Sequence, residues 1–142
     1  MSAQERPFPL VDERSRGFWD AAARHVLAIA RCPHCEVFSH PPEDVCAHCG
    51  VYEPNVVFEP VSGRGVVKSW TMVRQALLPG FADDVPYLLV DVELAEQKEL
   101  RLIGRLLDGP DAPVRLGAAV RVAFEDVSAD LAVPAFVLET RS

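Results

Sequence analysis

The sequence predicts a mainly β protein with an N-terminal amphipathic helix, a four-cysteine metal-binding ribbon and a small β-barrel. Three observations carry that prediction. All four cysteines lie between Arg31 and Gly50, as Cys32-Pro-His-Cys35 and Cys46-Ala-His-Cys49. Ahead of them Val11, Phe18, Trp19, Ala22 and Val26 recur at roughly helical intervals and mark one apolar stripe. Beyond Val56 the pattern changes to short apolar runs, alternating with polar residues and separated by Gly/Pro turns. The expected divisions are a helical segment over 1–25, a ribbon over 26–55 and a barrel over 56–142.

In chain order, Pro7 and Pro9 keep the first residues extended. Asp12 is placed to cap a helix, with Glu13 at its positive end. The helix's apolar face, centred on Phe18 and Trp19, has two possible destinations: the protein's own core or a partner's groove. The run from Val26 to Arg31 is short, apolar and partly β-branched, which predicts a strand feeding the first cysteine pair. His40-Pro41-Pro42 forces an extended or turned path between the pairs.

Strands are then predicted over 56–61, 66–73, 87–94, 100–107, 119–127 and 135–140. Gly63 and Gly65 mark a sharp bend before the second of these. Leu78 to Pro86 is a loop with two prolines, and Asp108-Gly109-Pro110-Asp111 is a turn. Strands so closely spaced, without helices between them, favour a small barrel. The 142 residues, 49% hydrophobic and 25% charged, support one compact core with a small satellite.

The cysteine spacing names its chemistry. Two residues between thiolates let one tight knuckle present both sulfurs to the same ion at about 2.3 Å. Two facing knuckles complete a tetrahedral four-sulfur site, which selects zinc or iron over harder cations. Cys32, Cys35, Cys46 and Cys49 are therefore the expected ligands of a structural Zn(2+). A redox CxxC pair would be expected beside a βαβ unit, and no such unit precedes either pair. His34 and His48 sit inside the knuckles, where four sulfurs already fill the shell, so both are expected to face solvent. A filled shell leaves no position for water or substrate.

The order of elements and several motifs resemble the DUF35 family, in which a rubredoxin-like zinc ribbon precedes an OB-fold. The resemblance covers nearly the whole chain. It rests on Phe18-Trp19, Arg31-Cys32-Pro33-His34-Cys35, Pro41-Pro42, Cys46 to Gly50, Ser62-Gly63-Arg64-Gly65-Val66-Val67 with Ser69-Trp70-Thr71, and Pro86-Tyr87. Two positions depart from the family pattern. Glu36 stands where a knuckle glycine is usual, and Glu43 replaces a common arginine, which puts any anion contact by that arginine in doubt.

The resemblance implies a non-catalytic accessory subunit. Its partner would be a thiolase-fold enzyme (thiolase, acyltransferase or sterol side-chain aldolase type) or an acyl-CoA hydratase. The subunit would scaffold that enzyme and help shape the route of CoA, with contact to acyl-CoA itself left open. Phe18 and Trp19 are the candidate partner-binding residues.

The residues agree in one respect, because a stand-alone catalyst's parts are missing. No cysteine is left over as a nucleophile. The four histidines (25, 34, 40, 48) all precede the barrel, away from Ser62, Ser69 and Thr71. The alternative class is a single-stranded nucleic-acid-binding module, since both component folds serve that purpose elsewhere. A net charge of -7 argues against it, although Arg64, Lys68, Arg74, Arg101, Arg105, Arg115 and Arg121 leave room for a local patch. No apolar run approaches a membrane span, and residues 1–10 lack a signal peptide's apolar core. With metal-paired thiols, the expected compartment is the cytoplasm.

Overall fold

A computed structural model describes residues 7–76 and 78–139. Its elements are α1 (Arg16–Ala23), β1 (Ala28–Arg31), β2 (Phe38–Ser39), β3 (Val57–Pro60), β4 (Arg64–Val73), β5 (Tyr87–Leu94), β6 (Arg101–Leu106), β7 (Ala119–Ser128) and β8 (Leu131–Leu138). The fold is mainly β, with one short helix, a ribbon and a closed five-strand barrel.

The helix begins later than its capping signal. Asp12 accepts hydrogen bonds from the Ser15 amide and hydroxyl, both at 2.8 Å, and these bonds hold its carboxyl below the usual range. That local turn leaves Ser15 as the N-cap. At the other end the His25 and Val26 amides bond back to the Ala22 and Ala21 carbonyls, with His25 at φ 59. This is a Schellman-type stop, with His25 in the left-handed position.

β1 is the centre of the ribbon sheet, in the order β2-β1-β3 and antiparallel on both sides. β3, expected as the first barrel strand, pairs with β1 from Ala28↔Pro60 to Arg31↔Val57. The barrel strands begin with β4 and close in the order β4-β5-β6-β8-β7, with β6–β8 the parallel pair. In β5 Leu88, Val90, Val92 and Leu94 point inward while Tyr87, Leu89, Asp91 and Glu93 are partly exposed.

β8 begins four residues before the predicted start, and Pro134 lies inside it. At that point β8 pairs with β7 but not with β6, which it meets only at Ala135 and Phe136. One side of the strand is therefore open, and a residue without an N–H is tolerated there.

Gly63 and Gly65 sit where the barrel closes. Gly65 is paired with Leu94 on one side and Val120 on the other. A Cβ there would lie 2.4 Å from the Glu93 carbonyl oxygen and 2.5 Å from Val92 Cγ1. Gly63, at φ 79, turns its carbonyl to accept from the Val122 amide at 2.8 Å.

One core runs through helix, ribbon and barrel. Phe18, Leu27 and Ile29 share it with Val67, Val90, Val92 and Phe136. Phe18 is only 5% exposed, and Ala21 and Ala22 are buried as α1 packs on β8 and β1. Trp19 meets the Phe18 ring edge-on at 4.9 Å and remains partly exposed. The stripe predicted from helical spacing is thus directed chiefly inward, and Phe18 itself is covered by the chain's own core. Gly17 allows the approach of α1 to β3, since a Cβ there would sit 2.3 Å from the Phe58 ring.

Because α1 completes this core, Phe18→Ala should destabilise the fold by about 3–5 kcal/mol in urea unfolding. Removing residues 1–24 should abolish the cooperative transition. A truncated chain that melts like the intact protein would show the helix to be dispensable.

Candidate metal centre

Each cysteine pair is built by the same local rule. After Cys32, the Glu36 amide donates to the Cys32 carbonyl at 2.8 Å and the Cys32 amide to the Val37 carbonyl at 3.1 Å. After Cys46, the Gly50 amide donates to the Cys46 carbonyl at 2.8 Å and the Cys46 amide to the Val51 carbonyl at 2.9 Å. The residue that ends each knuckle has positive φ, 63 at Glu36 and 79 at Gly50. Glu36 therefore occupies a glycine-type conformation, at a strain typical of about 1 kcal/mol or more for a residue with a Cβ.

The knuckles bring the four Sγ atoms within 4.8 Å of one another. Cys32–Cys49 and Cys35–Cys46 are separated by 3.9 and 3.7 Å. A tetrahedron with zinc–sulfur bonds of about 2.3 Å has edges of about 3.8 Å, so the donor set fits zinc. The same spacings are far too long for disulfides, whose sulfurs lie about 2.05 Å apart. Cys32 and Cys46 are buried, Cys35 is partly buried and Cys49 is exposed. His34 and His48 face solvent, outside the sulfur cluster.

The thiols alone are electrostatically divided. Amides of Cys49 and His48 pull Cys46 down to about 6. Cys35 is pushed up to about 12: the Val37 amide works in the lowering direction, but burial and the Cys46, Cys32 and Cys49 sulfurs outweigh it. Four thiolates this close need a cation between them.

The ribbon is held to the barrel, to the helical segment and within itself by contacts that the sequence reading missed. Gln97, in the β5–β6 connection, accepts from the Phe38 amide and donates to the Phe38 carbonyl, both at 2.9 Å. Its side chain thereby acts as one more strand beside β2. Arg31 bonds Glu59 at 2.9 Å and lies 5.1 Å from the Phe38 ring centroid. Arg14 pairs with Asp44, tying the turn before α1 to the second knuckle. His40 packs against Phe18 at 5.0 Å, and burial pushes its pKa below the ordinary histidine value. Gln97 carried no sequence signal, because an isolated glutamine in a polar connection has no pattern.

Of the basic residues singled out above, three on the barrel are matched by acids. Arg64 faces Glu139 at 3.5 Å, Arg101 faces Asp91 at 2.8 Å and Arg105 faces Asp84 at 3.3 Å. Glu43 is exposed beside Asp44, Glu53 and Glu13 at an acidic surface.

Two family models match the chain: the ChsH2 rubredoxin-like zinc ribbon domain over residues 19–53 and the ChsH2 C-terminal OB-fold domain over residues 58–125. A probable enoyl-CoA hydratase alpha subunit of Thermomonospora curvata is 31% identical over 132 residues, which are 92% of this chain. The chain spans only 39% of that relative's length. Among solved structures, a chain of the Ltp2-ChsH2(DUF35) aldolase is 27% identical with a TM-score of 0.78, over 92% of this chain and 98% of that one. A DUF35-family protein of unknown function from Sulfolobus solfataricus is 14% identical with a TM-score of 0.59, over 91% and 87%. That second likeness is one of fold alone.

Metal analysis should find one zinc per chain. Serine at Cys32 or Cys46 should cost the ribbon its fold, since structural zinc contributes on the order of 10 kcal/mol or more. Protein that is metal-free yet fully folded would refute the assignment.

A second test concerns His40. Its folded pKa lies below the unfolded value, so the unfolded chain binds the extra proton first. Stability is present above about pH 6.5 and should fall on acidification through that value. Urea midpoints at pH 7.5 and 5.5 should converge in His40→Leu relative to wild type.

Proposed function

We propose, on the premise that the chain belongs to the DUF35 family of zinc-ribbon and OB-fold proteins, that it is a non-catalytic accessory subunit of an acyl-CoA-processing enzyme. The observation that carries this reading is the match to the Ltp2-ChsH2(DUF35) aldolase, which extends over 98% of that chain. The hydratase-subunit relative supports the same broad class. The partner is a thiolase-fold enzyme of thiolase, acyltransferase or sterol side-chain aldolase type, or an acyl-CoA hydratase. The subunit's role is to scaffold that enzyme and help shape the path of CoA to its active site.

The chemistry of the chain supports a non-catalytic role. All four thiols converge on one metal position whose shell they fill. Among the described residues, His25 forms the one histidine–carboxylate pair, with Asp126 at 2.7 Å, and its ring stacks on Phe124 at 5.2 Å. Among the described residues no Ser, Thr or Cys side chain is hydrogen-bonded to a histidine. The zinc is structural in this reading and takes no part in a reaction.

Trp19 is the proposed partner-binding residue at the surface. Phe18 acts behind it, as the buried ring against which Trp19 is oriented. No helix among the described residues is long and apolar enough to cross a membrane. Four free cysteines gathered for a metal suit a reducing compartment, and we place the protein in the cytoplasm.

An affinity pull-down from the native source should recover an acyl-CoA enzyme subunit. The isolated chain should show no thiolase, aldolase, hydratase or acyltransferase turnover, with activity appearing on addition of the partner. Trp19→Ala should weaken partner binding by about 2 kcal/mol. Robust turnover by the pure chain overturns the accessory reading. A Trp19→Ala variant that melts early but binds normally assigns Trp19 to the core alone.

A further inference from the structure

The ribbon sheet has two edges, β2 and β3, and they are treated differently. In an antiparallel pair, residues that exchange both backbone bonds alternate with residues whose N–H and C=O point away from the partner strand. The Val61 amide donates to the Leu27 carbonyl at 2.9 Å, in register with Ala28↔Pro60. Val61, Glu59 and Val57 are therefore the bonded positions, and the backbone groups of Phe58 and Pro60 turn outward. On the far side of β1 the Cys32 amide donates to the Val37 carbonyl at 3.1 Å. The same alternation there turns the backbone groups of Phe38 outward.

At Phe38 the outward pair is satisfied, because Gln97 accepts from the amide and donates to the carbonyl, both at 2.9 Å. A primary amide carries both functions and so imitates one residue of a neighbouring strand. At Phe58 nothing corresponds to Gln97. Among the described residues no group is hydrogen-bonded to the Phe58 N–H or C=O. Gly17 of α1 meets the Phe58 ring, not its backbone. An edge with unpaired backbone groups is a template for another chain.

The surroundings select that chain. A groove of about 650 Å³ lies beside Val56 and Phe58 and is bordered by Glu13, Glu43 and Glu53. All three carboxylates are exposed, and among the described residues none forms an ion pair. The one cation in the groove, Arg14, is engaged by Asp44. Such a groove attracts a basic segment and repels nucleic acid. It also repels a second copy of this chain, whose net charge is -7 and whose own edge carries the same acids. Pro60 has no N–H, so an added strand bonds chiefly at Phe58 and stays short.

We propose that the β3 edge receives a short, extended, basic segment of a partner protein. The segment exchanges backbone hydrogen bonds with Phe58 and sets lysine or arginine side chains against Glu13, Glu43 and Glu53. This goes beyond the accessory reading, since it rests on the edge and its charge and not on which enzyme the partner is. It is therefore tested on the isolated, zinc-loaded chain, and its failure leaves the accessory reading standing.

The probe is the blocked pentapeptide Lys-Val-Lys-Val-Lys, titrated into isotope-labelled protein and followed by NMR and amide hydrogen exchange. Glu-Val-Glu-Val-Glu is the control. In the free chain the Phe58 amide should exchange at least tenfold faster than the Phe38 amide. The basic peptide should give saturable shifts at the Val56 and Phe58 amides and slow exchange at Phe58 at least tenfold. The acidic peptide should bind at least tenfold more weakly. Glu43→Lys combined with Glu53→Lys, both at exposed positions, should keep the melting temperature and lower affinity for the basic peptide at least tenfold. A Phe58 amide as protected as Phe38 in the free chain overturns the proposal. So do absent shifts, binding that leaves Phe58 exchange unchanged, equal binding of the acidic peptide, or a folded double variant with undiminished affinity.

Discussion

Four sulfurs must lie about 3.8 Å apart to hold one zinc ion, and much of the N-terminal half follows from that requirement. Each pair needs a tight knuckle, and each knuckle ends in left-handed backbone at Glu36 or Gly50. The first knuckle is delivered by β1, whose Ile29 is completely buried in the common core. The second is tied back through Arg14–Asp44 and the Val45↔Tyr52 bridge. Two short strands beside β1 could not support a domain of their own. A metal held by the four sulfurs would supply what so little apolar surface cannot, and the shared core with the barrel supplies the rest. Glu36 is part of that knuckle: a residue with a Cβ holds a glycine-type conformation while its amide closes the turn on the Cys32 carbonyl.

The barrel has its own constraint, which is closure. Strand β4 must pair on both sides near its start, with β5 and β7, so three backbones crowd together at Gly65. Only a residue without a Cβ fits at 2.4 Å from a neighbouring carbonyl oxygen. The Ser-Gly-x-Gly segment is therefore explained by packing and backbone conformation, without a ligand. Closure also removes the free sheet edges of the barrel.

What could be read from the sequence was what is local. Alternation identified β5 residue for residue, because one face of it is buried along its whole length. The cysteine pairs named their chemistry because four ligand atoms at fixed spacing admit few alternatives. Pairing partners were not legible: β3 has the composition of a barrel strand but bonds to β1, a choice made by residues about thirty positions away. Helical periodicity revealed an apolar stripe on α1 without saying what covers it, and the structure places Phe18 under its own core. The start of β8 was hidden because Pro134 ends a strand in any position paired on both sides. Gln97 and the Arg105 cluster depend on contacts across the fold that leave no trace in spacing.

Charge connects the fold to the functional reading. A basic count taken along the barrel suggests a patch, yet Arg64, Arg101 and Arg105 each face a carboxylate. Once paired, these arginines contribute geometry more than field, because their Coulomb attraction for a distant anion is largely cancelled. Arg101 illustrates the result: it lies between Asp91 and Glu99 and holds the β5–β6 connection in which Gln97 must reach β2. Asp91 and Glu99 thus brace, through Arg101, the connection that carries Gln97 to the ribbon. A chain organised in this way has its thiols gathered at one position, while Arg64, Arg101 and Arg105 are engaged with carboxylates on the barrel.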